Sequence, residues 1–209
     1  MFQDRKEAGE KLAIALEKFR NTNPVILGIP RGGAETAYYV ARHLNAELAL
    51  LVSRKLGFPF DPEAAFGAVA EDGSVYISDT RRHSLSANEI NESLKEEKKE
   101  IKRRIQALRR GRPLPDLDGR TIILVDDGIA TGATLFAAVE LCRKQKAAKI
   151  VVAAPIAGRA VESVLRSRAD DVVILETPPS YHAVSQGYRF FEDLTDQEAV
   201  DFADRWEKE

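Results

Sequence analysis

TIILVDDGIATGAT, residues 121–134, is the stretch whose reading decides the fold. Residues 122–125 are a continuous apolar run, the pattern of a parallel strand buried on both faces. Two adjacent carboxylates, Asp126 and Asp127, stand at its C-terminal end. The turn Gly128-Ile129-Ala130-Thr131-Gly132-Ala133-Thr134 then runs straight into an apolar helix predicted over 135–146. Backbone N–H groups in such a turn, with the helix dipole behind them, form a site for a phosphate monoester. Thr131 and Thr134 add hydroxyl donors, and Gly132 lets the backbone approach closely. Asp126 and Asp127 lie one turn away, placed to accept hydrogen bonds from vicinal hydroxyls. A phosphate at one end and a diol at the other describe a ribose 5-phosphate. An ordinary strand-to-helix turn with an acidic N-cap would account for a lone Thr-Gly-x-Thr. Paired acids at a buried strand end are costly unless something binds them.

Outward from this stretch the same unit recurs. Residues 25–29 read as a buried strand ending in Pro30-Arg31-Gly32-Gly33, with a helix predicted over 34–44. Gly-Gly allows unusual backbone angles, and Arg31 can pair bidentately with phosphate oxygens. Residues 47–53 predict a further strand, closing in Arg54-Lys55-Leu56-Gly57. Two prolines and no period make 58–62 a loop, while 66–71 and 74–78, joined by Asp72-Gly73, read as a hairpin-like excursion. Residues 150–155 and 172–175 are two more buried strands, separated by a helix over about 159–168. Strand–helix alternation of this kind predicts an α/β protein with a parallel, three-layer sheet.

Three further helices frame that core. Asp4-Arg5-Lys6-Glu7 looks like a capping box opening a helix to about Arg20, and Ser86-Ala87-Asn88-Glu89 opens a long one to Arg110. The long helix carries Ile90, Leu94, Ile101, Ile105 and Leu108 on one face. Its basic end, from Lys102 to Arg112, complements the helix dipole and reads as a solvated surface rather than a nucleic-acid site. Residues 177–192 break the rhythm, and their aromatics Tyr181, Tyr188 and Phe190 are candidates to stack on a flat ring. A last helix is predicted over about 196–208.

Composition excludes several classes. At 209 residues the chain is one domain, or one with an insertion, and 44% apolar with 31% charged residues is globular. Lys+Arg 31 against Asp+Glu 33 gives net −2, no bias toward nucleic acid or anionic membrane. A single cysteine, Cys142, rules out an internal disulfide and reads as a small core residue. No apolar stretch approaches ~18 residues, so no membrane span is expected. The first residues, MFQDRKEAGEKLA, lack the apolar core of a signal peptide, and a cytoplasmic location is the expectation.

Four apolar residues, two acids, three variable residues and Thr-Gly-x-Thr resemble the phosphoribosyl pyrophosphate signature of the type I phosphoribosyltransferases. Pro30-Arg31-Gly32-Gly33, Arg54-Lys55-Leu56-Gly57 and Phe66-Gly67-Ala68-Val69-Ala70-Glu71 further resemble a group of bacterial phosphoribosyltransferases with no acceptor to carry over. The resemblance implies a three-layer α/β/α type I phosphoribosyltransferase fold, with a mostly parallel sheet, over a single domain 1–209. Its sheet core spans about 25–175, its helical insertion about 81–112 and its C-terminal hood segment about 177–209. The strand ending at Pro30 would lie beside the acid-bearing strand, across a topological switch point. Pro30 to Gly33 would match the pyrophosphate loop, which in the family often holds a non-proline cis peptide.

The resemblance also implies an activity: Mg²⁺-dependent transfer of phosphoribosyl from phosphoribosyl pyrophosphate to a nitrogenous base, releasing pyrophosphate, as in nucleotide salvage. Lys55, Asp126 and Asp127 would be the catalytic residues. Arg31, Gly32, Gly33, Arg54, Lys55, Asp126, Asp127, Ala130, Thr131, Gly132, Ala133 and Thr134 would bind the donor. Asp126 and Asp127 would also hold the magnesium, directly or through water. Closure of a loop over 56–65 would exclude water. Hypoxanthine and guanine fit poorly as acceptors, because Ala130 stands where 6-oxopurine enzymes carry a proton-handling aspartate. The expected partners are thus the donor and a base, without membrane or nucleic acid, and with a homodimer as an open alternative. Two other functions stay in view: a non-catalytic regulator that senses phosphoribosyl pyrophosphate, and a silent interaction protein.

Overall fold

The computed structural model describes residues 1–58, 61–78 and 85–208, with backbone alone at Pro62 and Glu63. A helix α1 (Arg5–Ala15) opens the chain; Asp4 caps it by accepting a hydrogen bond from Glu7 N. It breaks earlier than the sequence suggests, into a 3₁₀ turn (Glu17–Thr22). Strand β1 (Val25–Gly28), helix α2 (Gly32–Leu44) and strand β2 (Glu47–Leu50) follow. Strands β3 (Ser53–Phe58), β4 (Asp61–Ala70) and β5 (Val75–Ile77) come next, then the long helix α3 (Ala87–Arg109). The second half runs β6 (Thr121–Val125), α4 (Ala133–Lys144), β7 (Lys149–Ile156), α5 (Arg159–Arg168), β8 (Asp171–Glu176) and α6 (Asp196–Trp206).

The main sheet has the order β2-β1-β6-β7-β8, and every pairing in it is parallel. Ile122 to Val125 are fully buried, as a strand covered by helices on both faces must be. One face packs on α4 through Leu124, Leu135, Phe136 and Val139. The other packs on α1 and α2 through Ile123, Val125, Leu12, Tyr38 and Ala41. The expected adjacency holds: β1 lies beside β6 in parallel register, Gly28 opposite Val125.

Two local expectations need correction. Residues 47–53 are not one strand, because β2 stops at Leu50 and β3 starts at Ser53 in a separate antiparallel sheet of order β3-β4-β5. Nor are Leu56 to Ala65 a structureless loop. Gly57 pairs with Ala65 and Phe58 with Asp61, so this arm is a hairpin with irregular register; Pro59 and Phe60 lie outside the described residues. Phe58 and Phe66 explain it, because their rings meet edge-on at 5.5 Å and reward pairing that the prolines obscured. The expected insertion from residue 81 is described from residue 85, and α3 begins at Ala87 with a capping box formed by Ser86 and Glu89. Its Ile101 and Leu108 are buried in the core beneath the small sheet, with α6 packed against it.

Candidate functional site

The site grows from the paired ends of β1 and β6. Ile29 N donates to Val125 O at 2.9 Å, which holds the two following turns together. The peptide between Pro30 and Arg31 is cis, a feature that the resemblance makes common in such a loop and that the sequence leaves open here. Gly32 and Gly33 are needed here for close approach rather than for unusual angles, since neither has a positive φ. A Cβ on Gly33 would sit 2.8 Å from Val125 O, and one on Gly32 would fall 1.8 Å from Asp127 Oδ2. The first turn is therefore pressed directly onto the two acids. Arg31 beside it is exposed and, among the described residues, unpaired.

Asp126 and Asp127 occupy different surroundings. Asp126 keeps an edge open to the site and accepts from Asp127 N at 2.9 Å. Burial first, and the neighbouring Asp127 charge second, push its carboxyl well above the usual range; Arg5 acts in the opposite sense. Asp127 is 8% exposed, and its Oδ2 accepts from Arg5 Nε at 2.7 Å. Its carbonyl oxygen accepts from the Tyr188 hydroxyl. Sequence reading missed Arg5 altogether, because in Asp4-Arg5-Lys6-Glu7 it looks like any charged residue of a first helical turn.

Beyond the acids, Ile129 N donates to Ile156 O at 2.9 Å and anchors the turn on β7. Ala130 and Thr131 are exposed, and Gly132, at φ +73, caps α4 in a conformation that L side chains rarely adopt. Ala133 and Thr134 begin α4, so first-turn N–H groups without intrahelical partners surround this point. The hydroxyls of Thr131 and Thr134 carry no protein partner among the described residues. The result is a concave set of N–H and O–H donors one residue step from two carboxylates.

The small sheet supplies the basic pair. Lys55 is exposed on β3 and unpaired among the described residues, while Arg54 Nε is tied to Glu97 Oε2 of α3 at 2.7 Å. A cleft of about 740 Å³ joins these elements, with Pro30, Thr134, Ser53, Lys55, Glu92 and Glu96 in its wall. So one space is lined by the turn after β1, the first turn of α4, strand β3 and the acidic face of α3. The Ser53 hydroxyl is buried without a partner among the described residues.

The three aromatic candidates separate. Tyr181 has a buried hydroxyl, unpartnered among the described residues, 3.2 Å from where a Cβ on Gly128 would stand. Burial, then Asp127 and Asp126, push that phenol upward. Tyr188 is withdrawn as a stacking surface: it is 5% exposed and packs on Phe2 and Phe191, with centroids 5.8 and 5.1 Å away. Phe190 is 62% exposed, with its N–H bonded to Gln3 O. Among the described residues no group of three or more acids, histidines and cysteines is arranged to hold a metal. Two hard carboxylate oxygen donors do fit Mg²⁺, which retains several waters and draws ligands from a bound phosphate. No helix among the described residues is long and apolar enough to cross a membrane.

Comparison with known proteins bears on the family and the fold. A model of the phosphoribosyl transferase domain matches residues 3–188. A Mycobacterium tuberculosis protein, whose name provisionally calls it a phosphoribosyl transferase, is 44% identical over 207 residues. That match covers 98% of this chain and 47% of the relative, so the chain spans about half the relative's length. The crystal structure of TT1426 from Thermus thermophilus is similar over 99% of both chains, with 35% identity and a TM-score of 0.85. A purine phosphoribosyltransferase from Pyrococcus horikoshii shares the fold at a TM-score of 0.50 and 18% identity, over 86% of this chain and 85% of its own.

Proposed function

Because this chain belongs to the phosphoribosyl transferase domain family, we propose that it transfers the 5-phosphoribosyl group of Mg²⁺–phosphoribosyl pyrophosphate to a nitrogenous base. One observation carries the reading. The ends of β1 and β6 lie side by side, with Gly28 opposite Val125, and the turns that follow them touch, a Cβ on Gly32 falling 1.8 Å from Asp127 Oδ2.

Each group then has a task. The N–H groups at the start of α4, with Thr131 and Thr134, hold the 5-phosphate. Asp126 and Asp127 accept hydrogen bonds from the ribose hydroxyls, which orients C1. Arg31 and Lys55 face the pyrophosphate. The base nitrogen attacks C1, the C1–O bond breaks, and its electron pair leaves with pyrophosphate while the nitrogen gives up a proton. Positive charge at C1 is greatest in the transition state, as in glycoside cleavage. Negative charge on the leaving group grows at the same moment, which is where Lys55 is worth most. Asp126 and Asp127 would hold magnesium, directly or through water, and the ion would supply charge neutralisation for the departing pyrophosphate.

The hairpin of β3 and β4 takes the part expected of a closing loop. Release of Arg54 from Glu97 would add a third cation, beside Arg31 and Lys55, to the leaving-group end. Glu92 and Glu96 in the cleft wall offer acceptors to amino or ring N–H groups, which supports an amino-bearing heterocycle as acceptor. A role in nucleotide salvage in the cytoplasm completes the proposal. The test is calorimetric titration with Mg²⁺–phosphoribosyl pyrophosphate, followed by pyrophosphate release over a panel of bases. Saturable binding with release on adding one base supports transfer. Binding with no release over the whole panel supports a sensor instead, and absence of binding rejects the proposal.

A further inference from the structure

Arg5 lies 122 residues from Asp127 in sequence, yet its guanidinium reaches the floor of the site. Nε donates to Asp127 Oδ2 at 2.7 Å, and Nη1 donates to Glu192 O at 2.7 Å. The Arg5 Cζ stands 4.0 Å over the Phe191 ring centroid. The residue is only 6% exposed, so its orientation is fixed by a carboxylate, a carbonyl and an aromatic face together. The same Asp127 oxygen is the atom that a Cβ on Gly32 would strike, and Arg5 Nε lies 3.1 Å from that Cβ position. Arg5, Asp127 and Gly32 thus form one contact among α1, the acid-bearing turn and the cis-peptide turn.

We infer that Arg5 is a positioning residue for the donor site: it pins Asp127 Oδ2 and leaves Oδ1 to meet the ribose hydroxyl. The inference rests on the donor reading above and adds a residue to it. Without a cation at this place, Asp127 would be a buried charge next to a second carboxylate and would swing toward water, away from Gly32. Arg5 also ties the C-terminal segment to the site, through Glu192 O and Phe191. The positions of α1 and of residues 188–192 are therefore coupled to the geometry of the ribose end. An ion pair that served the fold alone would not make donor affinity depend on the Arg5–Asp127 contact.

The test measures donor affinity by calorimetry and the melting temperature of the full chain for wild type, Arg5→Gln, Arg5→Lys, Asp127→Asn and the Arg5→Gln/Asp127→Asn double variant. Arg5→Gln is expected to weaken Mg²⁺–phosphoribosyl pyrophosphate binding about 30-fold, and Arg5→Lys, which restores charge but not the fork, about fivefold. In the Asp127→Asn background the Arg5→Gln loss should shrink to less than about threefold, since both changes act through one contact. Should Arg5→Gln not fold, Arg5→Lys decides: unchanged affinity overturns the inference. A lowered melting temperature with wild-type affinity also overturns it, as do losses that simply multiply in the double variant. Wild-type protein that binds no donor overturns the donor reading, and this inference with it.

Discussion

Arg109 grips Glu71 with both terminal nitrogens, Nη2 to Oε1 at 2.5 Å and Nη1 to Oε2 at 3.0 Å. Arg109 Nη1 also donates to Leu50 O at 2.9 Å, and Glu71 Oε2 accepts from Val52 N at 2.8 Å. The last turn of α3 is thereby bolted to the place where the chain leaves the parallel sheet for the small one. This fixes the acidic face of α3 across the cleft from Lys55. Both side chains are more than nine-tenths buried, so the pair is a desolvated one.

Glu71→Ala should therefore be far more damaging than a surface charge change. It leaves the Arg109 guanidinium buried and unpaired, with an expected loss of ~3–5 kcal/mol. Urea denaturation would read this directly. Arg109→Leu/Glu71→Leu together should cost less than the sum of the single changes, because no charge is then stranded. A loss below ~1 kcal/mol for Glu71→Ala would put the pair in the class of exposed salt bridges.

Gly32→Ala separates crowding from backbone angle. The added Cβ would fall 1.8 Å from Asp127 Oδ2, so the carboxylate or the turn must move. Donor affinity is expected to drop at least about tenfold, in keeping with the cost of misplacing a binding group by an ångström. Gly119→Ala is the control. Gly119 has φ +68, and a Cβ added there meets nothing within 4 Å among the described residues, so that change should cost ~1–2 kcal/mol of stability and leave donor affinity alone.

Asp126 predicts a trade between stability and binding. Its carboxyl is raised by burial and by Asp127, so the folded chain holds this proton over a range where the unfolded chain, at ~3.9, has lost it. Its contribution to stability is therefore present at low pH and lost as pH rises from the unfolded value through the raised one. Asp126→Asn should remove that slope and gain on wild type toward neutral pH, as read from denaturation midpoints along a pH series. The same variant should bind the donor more weakly, by ~1.5–3 kcal/mol if the lost hydrogen bonds are fully desolvated, and Asp127→Asn likewise. A pH-independent difference between wild type and Asp126→Asn would reject the protonation argument.

Why some of this was legible in the sequence follows from the range of each interaction. Ile122 to Val125 and Val25 to Gly28 are local apolar runs, and local runs predict buried parallel strands. Asp126 to Thr134 is a local string too, and its acids, turn glycine and helix start lie together in space as they do in sequence. Arg5 and Arg109 were opaque, since each acts on a partner 122 or 38 residues away and resembles an ordinary helical charge. Residues 56–65 misled for a different reason. Their prolines and missing period signal a loop, but the ring contact of Phe58 with Phe66 and the cross-strand pairing override local propensity. Tyr188 was misjudged because an aromatic in an irregular segment gives no sign of whether its ring is free or packed.

Lys55 should act on the leaving group more than on the bound donor. It is exposed and unpaired among the described residues, in the same cleft wall as Pro30 and Thr134. Charge on pyrophosphate grows as the C1–O bond breaks, so a cation there is worth more in the transition state than in the ground state. Lys55→Ala is expected to lower turnover by a larger factor than it raises the donor dissociation constant. Equal effects on the two quantities would reassign Lys55 to simple binding.

The acceptor should carry N–H donors and should not be a 6-oxopurine. Ala130, exposed at the turn, has no group with which to take a proton or to accept a hydrogen bond through its side chain. Carboxylates instead line the wall that α3 brings to the cleft. Among them Glu92 and Glu96 are exposed, whereas Glu97 is held by Arg54 and Glu89 caps its own helix. A carboxylate accepts only, so where it meets the 6-position it pairs with the amino group of adenine and repels the oxygen that hypoxanthine and guanine carry there. Adenine, or another amino-bearing heterocycle, is accordingly expected to release pyrophosphate faster than hypoxanthine or guanine. Glu92→Gln with Glu96→Gln should narrow that preference, because an amide can donate to a carbonyl as well as accept from an amine. Competition assays with adenine and hypoxanthine at equal concentration would measure it. Turnover of hypoxanthine or guanine with adenine inert would reverse the assignment, and a preference untouched by the double substitution would remove α3 from base selection.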